Sequence, residues 1–220
     1  MIGLHLPKKS DEVLHVLCLG AHSDDIEIGC GGTLLYLKRV FPRLRLHWVV
    51  FTAGGQRALE ASQSAKLFAA GCECEVILKE FRDGFLPYTA APVKNFFEEL
   101  KGSVDPDVIF GHWGGDAHQD HHFLSQLTWN TFRNHLILEY EIPKYDGDLG
   151  RPNVFVPLDE GLCEQKVDYL FEAFATQRSK KWFDRETFRG LMRLRGMESG
   201  SSSRYAEAFH ARKLMFQPGV

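Results

Sequence analysis

The feature that most constrains this chain is a repeated alternation of short, largely apolar runs with stretches of helical spacing. Val13 to Gly20 (VLHVLCLG) and Arg45 to Thr52 (RLHWVVFT) have the β-branched and apolar content of buried strands. Gly31 to Val40 reads as a helix opened by a glycine pair. Leu59 to Ala70 reads as a second helix, stopped at Gly71. A short strand at Glu75 to Leu78, a helix at Val93 to Lys101 and a strand at Asp107 to Gly111 continue the series, the last after the Asp105-Pro106 break.

Strand, helix, strand, helix implies βαβ units. The expected fold is therefore α/β, a three-layer Rossmann-like arrangement with a mainly parallel sheet and helices on both faces. At 220 residues the chain suits one domain spanning 1–220. Ligands of such sheets gather at the carboxyl ends of strands, so site residues should follow strands directly. Past residue 135 the pattern is weaker. His135 to Ile142 and Val154 to Leu158 look like strands, Glu164 to Ala175 and Thr187 to Arg195 look helical, and Gly200 to Ser203 reads as a mobile loop.

Composition narrows the partners. A net charge of -3 argues against nucleic acid and anionic membranes. There is no apolar run long enough to span a bilayer, and MIGLHLPKKSDEVLH lacks the apolar stretch of a signal peptide. Five cysteines at unrelated spacings argue for a reducing, cytoplasmic setting, with Cys72 and Cys74 structural. A C-terminal basic group (Arg178, Lys180, Lys181, Arg185, Arg189, Arg193, Arg195) reads as a solvated helix face, or else as a contact for a phosphate-bearing substrate.

Two clusters carry chemistry. His22, Asp24 and Asp25 follow the first strand directly, and a His with adjacent carboxylates is costly there without partners. Imidazole plus carboxylate is a catalytic zinc donor set, in which one Asp can bind the ion while its neighbour faces the attacking water. Ordinary turn chemistry is the bland alternative. His118-Gln119-Asp120-His121-His122 follows the Asp107 to Gly111 strand. His118 and His121 are three apart and share a helical face, so one can bind metal and the other reach the reacting group. Asp120 can orient an imidazole. His122 lies off that face and reads as structural.

The string AHSDDIEIGCGGTL, followed downstream by HQDHH, resembles the PIG-L/LmbE family of zinc-dependent N-acetyl-sugar deacetylases, with a weaker echo at Tyr205-Ala206-Glu207-Ala208-Phe209. The family's first motif is Ala-His-Pro-Asp-Asp; Ser23 replaces the proline here without loss of a ligand. The resemblance implies His22, Asp25 and His121 as metal ligands, Asp24 as general base and His118 as a second catalytic group. It implies Arg57 and Asp83 as contacts to an amino-sugar substrate. Zinc is the implied ion, with Fe(II) or another divalent ion compatible with the same donors. A homo-oligomer is compatible with the sequence.

Three other readings compete. Gly29-Cys30-Gly31-Gly32 could open a nucleotide-binding helix, but nine residues, Ala21 to Gly29, intervene between the strand and Cys30. Those glycines suit close backbone approach and anion binding at a helix start. His118, Asp120 and His210 could form the facial triad of a non-haem iron oxygenase, which leaves His22, Asp24 and Asp25 without a role. A sugar-binding protein without turnover would not need Asp24.

Overall fold

The computed structural model describes residues 2–6, 8 and 11–215. Met1, Pro7, Lys9 and Ser10 of the stretch read for a signal peptide therefore lie outside the described residues. Strands β1 (Leu14–Gly20), β2 (Leu44–Val50) and β3 (Glu73–Leu78) alternate with helices α1 (Asp25–Val40), α2 (Gln56–Phe68) and α3 (Ala90–Ser103). Then come β4 (Val108–His112), α4 (Gln119–Thr131), β5 (Leu136–Tyr140), β6 (Val154–Leu158), α5 (Glu160–Ala173), α6 (Arg185–Ser199) and β7 (Tyr205–His210). They form a seven-stranded sheet in the order β3-β2-β1-β4-β5-β7-β6.

β1 to β5 run parallel, and β7 joins antiparallel to both β5 and β6. The order reverses between β1 and β4, which makes a switch point where the carboxyl ends of both strands open a crevice. Side-chain alternation explains the layers. Leu14, Val16 and Cys18 of β1 enter a core shared with α1, α2, α5 and α6. Leu17 and Leu19 enter a second core with Val93 and Phe97 of α3 and Leu124 and Leu127 of α4. A strand covered on both faces has no reason to alternate apolar with polar, hence the continuous apolar runs.

Several expectations need revision. α1 begins at Asp25, not Gly31, so the glycines lie inside the helix. A Cβ on Gly29 would strike the Tyr140 ring, and one on Gly32 would meet Leu158 and Glu207. Close approach is therefore what they permit. The anion they meet is the protein's own Glu207, whose carboxylate accepts from Gly32 N (2.8 Å) and Thr33 N (2.6 Å) in mid-helix. α5 and α6 start earlier than their apolar spacing suggests because Asp159 and Asp184 cap them, accepting from Leu162 N and Glu186 N. Gly200 to Ser203 is a tight turn with Ser201 and Ser203 hydroxyls bonded to one another (2.6 Å), not an open loop. α4 and β7 are elements for which the sequence offered only a motif.

Candidate metal centre and active site

Residues from the carboxyl ends of four parallel strands converge at the switch point. His22 follows β1, Arg57 follows β2, Asp83 follows β3, and His118 and His121 follow β4. Asp24 is the N-cap position of α1 and Asp25 its first residue. Asp25 Oδ2 accepts the His22 backbone N–H at 2.6 Å, which folds the AHSDD turn back on itself. His118 caps α4: its Nδ1 accepts from Asp120 N at 3.2 Å, which leaves the neutral ring's proton on Nε2.

Three donor atoms form a small triangle. His22 Nδ1 lies 3.0 Å from His121 Nε2 and 3.3 Å from Asp25 Oδ2, and His121 Nε2 lies 3.4 Å from Asp25 Oδ2. Tetrahedral ligands about 2.0–2.1 Å from zinc stand about 3.3 Å from one another. The residues present therefore fit a divalent ion. Burial pushes the Asp25 carboxyl up, but the imidazoles of His121, His22 and His112 overcome it and hold the group well below the usual carboxylate range. Burial lowers His22 and His121 in turn, and their carboxylate neighbours, Asp25 above all, outweigh it and raise both. Each side of the cluster calls for positive charge at its centre.

Asp24 stands apart from the triangle. Its Oδ1 receives Arg57 Nη2 at 2.6 Å, while Oδ2 is buried with no hydrogen-bond partner among the described residues. Burial raises its pKa, against the opposing pull of Arg57. Arg57 also donates to Glu60 Oε2 at 3.0 Å, and Glu60 is buried and held by Thr176 N (2.8 Å) and Thr176 Oγ1 (2.6 Å). Arg57 lies in the first turn of α2, not in a loop, and is fixed beside the carboxylate of Asp24, a partner the sequence did not announce. Asp83 Oδ1 lies 3.1 Å from His22 Nε2, with its side chain largely exposed. Asp120 Oδ2 lies 3.4 Å from the same nitrogen, and its oxygens accept from Gly84 N (2.8 Å) and Leu86 N (3.1 Å). The His118 ring centroid is 4.7 Å from that of His22 and 4.6 Å from that of His121. All eight residues singled out in the sequence meet in one place.

Two more belong to the site and were missed. His112 ends β4, fully buried, and its ring stacks on His121 at 3.9 Å. Its Nε2 accepts from Ala21 N at 2.9 Å, so that lone pair is in use, and burial with the nearby His121 brings its pKa down to about 4. It is a neutral wall behind His121. Asp116 is the second: Oδ2 lies 3.0 Å from His121 Nδ1, and Oδ1 accepts from His118 N at 2.8 Å. The Gly114-Gly115-Asp116 stretch was the available signal, a carboxylate shortly before paired histidines.

Other features find ordinary partners. His210 stacks on Trp113 and lies 3.6 Å from Glu141, so its contacts are not those of a triad with His118 and Asp120. Of the basic group, Arg185 pairs with Asp168, Arg189 with Glu164, and buried Arg195 with Glu141. His122 bonds Gly114 O at 2.8 Å and Gln126, a structural role. Among the described residues no helix is long and apolar enough to cross a membrane.

Comparison with known proteins follows the same line. The N,N'-diacetylchitobiose deacetylase of Pyrococcus horikoshii superposes with a TM-score of 0.73 at 22% identity, covering 94% of this chain and 86% of that one. The zinc-inhibited form of the teicoplanin deacetylase Orf2 has a TM-score of 0.67 at 11% identity, covering 88% and 96%. GalB, the 4-carboxy-2-hydroxymuconate hydratase of Pseudomonas putida KT2440, has a TM-score of 0.63 at 15% identity, covering 94% and 100%. At these identities the likeness establishes the fold, and the hydratase shows that the fold carries more than one chemistry. No curated protein matches the sequence. The family described as PIG-L, GlcNAc-PI de-N-acetylase, matches residues 17–132, from the first strand through the end of the HQDHH helix, and the chain belongs to that family.

Proposed function

We propose that this protein is a metal-dependent hydrolase that removes the N-acetyl group from an amino-sugar-containing substrate, whether free, nucleotide-linked or in a glycoconjugate. The observation that carries the reading is the pairing of a three-donor cluster with a separate buried carboxylate, Asp24, whose Oδ2 is unpartnered. His22, Asp25 and His121 would hold the ion, zinc being the proposed one. When bound, such an ion makes water acidic enough to attack near neutral pH and polarises a carbonyl.

The chain's own groups do the rest. Asp24 Oδ2 takes the proton of the attacking water; a carboxyl with a raised pKa is a better base than an exposed one. Arg57 fixes Oδ1, so the free oxygen keeps one direction. His118 presents Nε2–H as a donor for the developing oxyanion, and the proton that Asp24 has taken from the water is there for the departing amine. Arg57 has five N–H donors and can hold Asp24 and still reach a sugar hydroxyl. Exposed Asp83 can accept from another. Two structural neighbours are deacetylases, and the zinc-inhibited form of one supports a divalent-ion site on this fold.

The test is amine release from a panel of N-acetyl sugars by metal-replete protein, wild type against Asp24→Asn. Asparagine keeps the shape but accepts no proton. The expected result is release by the wild type, and a kcat about 10²–10⁴-fold lower in the variant at nearly unchanged metal content. No release from any N-acetyl sugar, with hydration of an unsaturated acid instead, would overturn the activity. A normal rate in Asp24→Asn would move the base elsewhere.

A further inference from the structure

Lys144 lies in the connection between β5 and β6, far from either sequence motif, yet its ammonium is turned inward: the side chain is 11% exposed. Nζ lies 3.0 Å from Asp116 Oδ2, the oxygen that also meets His121 Nδ1 at 3.0 Å. Asp148, four residues on, pairs with the same Nζ at 2.5 Å and accepts the Ala117 backbone N–H at 2.7 Å. The connection is pinned beneath by Glu141, which pairs with buried Arg195 at 2.8 Å and accepts from Gly150 N at 2.7 Å. Ile142 at its start is buried in the core, while Tyr145 and Leu149 further on stay exposed. Core packing at Ile142 leaves the inward turn of the polar side chains beyond it unexplained: Lys144 and Asp148 reach Asp116 and Ala117, the residues just before His118.

A histidine that binds a metal through Nε2 must keep its proton on Nδ1, and the partner of Nδ1 sets both tautomer and ring direction. Asp116 is that partner for His121, and through Oδ1 it also holds the backbone of His118. A buried carboxylate with two such duties needs a compensating charge. We propose that Lys144 and Asp148 are positioning residues for the metal centre, a lysine-carboxylate clamp that holds Asp116 against His121 so that Nε2 points at Asp25 and His22. This rests on the metal-dependent reading above.

The experiment compares wild type, Lys144→Met, Lys144→Arg and Asp148→Asn by chelator competition for bound zinc, by melting temperature, and by amine release at saturating metal. Removing a positive charge alone would favour a divalent cation, so a loss of zinc is the signature of lost orientation. The expected result for Lys144→Met is about a 10-fold or greater loss of zinc affinity. Its kcat should fall with KM within about twofold, and Lys144→Arg should recover most of both. If Lys144→Met does not fold, Asp148→Asn, which loosens the clamp but keeps the ammonium, should still lose zinc several-fold. Zinc affinity at the wild-type level in the folded variants, whatever their melting temperatures, overturns the clamp alone. Wild-type protein that holds no divalent ion overturns the metal centre and the clamp with it. Zinc held by the wild type without amine release would sink the proposed reaction, while the affinities would still decide the clamp.

Discussion

Glu27 shows how much a single residue at this site departs from its ordinary chemistry. It lies two residues past the proposed ligand Asp25, in the first turns of α1, fully buried. Burial pushes its carboxyl up to about 8, against the opposing pull of the Ser64 hydroxyl. In the metal-free protein it is then protonated near neutral pH when folded and ionised when unfolded. Between its unfolded and folded pKa values the folded state binds the extra proton. This contribution is therefore full below the unfolded value near 4.5 and is lost as pH rises towards about 8. Glu27→Gln keeps the neutral shape and cannot ionise. Urea unfolding of metal-free wild type and Glu27→Gln across that range should show the wild type losing stability relative to the variant, by up to about 1.4 kcal/mol per pH unit. Parallel stability curves would mean that the carboxyl finds a partner that keeps its pKa ordinary. Arg57 makes the complementary point. Its place after β2 was legible, but its engagement with Asp24 was not, because that contact depends on how α1 and α2 pack, whereas Glu60 is only one helical turn away in α2.

Among the elements, α1 carries the heaviest load. It brings Asp24 and Asp25 to the crevice, and its middle is tied to two other elements. Lys166 of α5 donates to Ile28 O (2.6 Å) and to Glu207 of β7 (2.6 Å), while Glu207 accepts from Gly32 N and Thr33 N. All three residues at the centre of this strap are buried. Glu207→Ala would leave a buried ammonium and two backbone N–H groups without their partner. The expected cost is about 3–5 kcal/mol in urea unfolding; a loss below about 1 kcal/mol would mean that water or a rearranged α1 replaces the carboxylate. The strap also explains why β7 was illegible beyond a motif echo. A charged residue at the middle of a strand contradicts apolar patterning unless its cation is known, and that cation is 41 residues away. α4 was obscured for a similar reason, since its first turn is spent on the site and its apolar residues, Leu124 and Leu127, come later. β1, β2 and β4 were legible because burial on both faces leaves a continuous apolar run. His22 and His121 were legible because clusters of His and Asp in the segments that follow such runs are conspicuous. Asp116 and Lys144 depend on a contact 28 residues apart along the chain, which leaves no local signature.

Across the whole molecule, the parallel strand order places the two motifs together. Ninety-nine residues separate His22 from His121, and the switch between β1 and β4 brings their ring nitrogens within 3.0 Å. The antiparallel β7 and β6 extend the sheet beyond β5, and the connection between β5 and β6 reaches back over Asp116. Fold alone does not choose the reaction, since a hydratase and deacetylases share it. In the proposed function the donor set and the buried carboxylate beside it make the choice. The most direct test of that claim is amine release from an N-acetyl sugar by one protein sample followed through three states: as loaded with zinc, after complete stripping by a chelator, and after zinc is returned. The account predicts release in the first state, loss of nearly all of it in the second, and recovery in the third. Undiminished release by the stripped protein would contradict it.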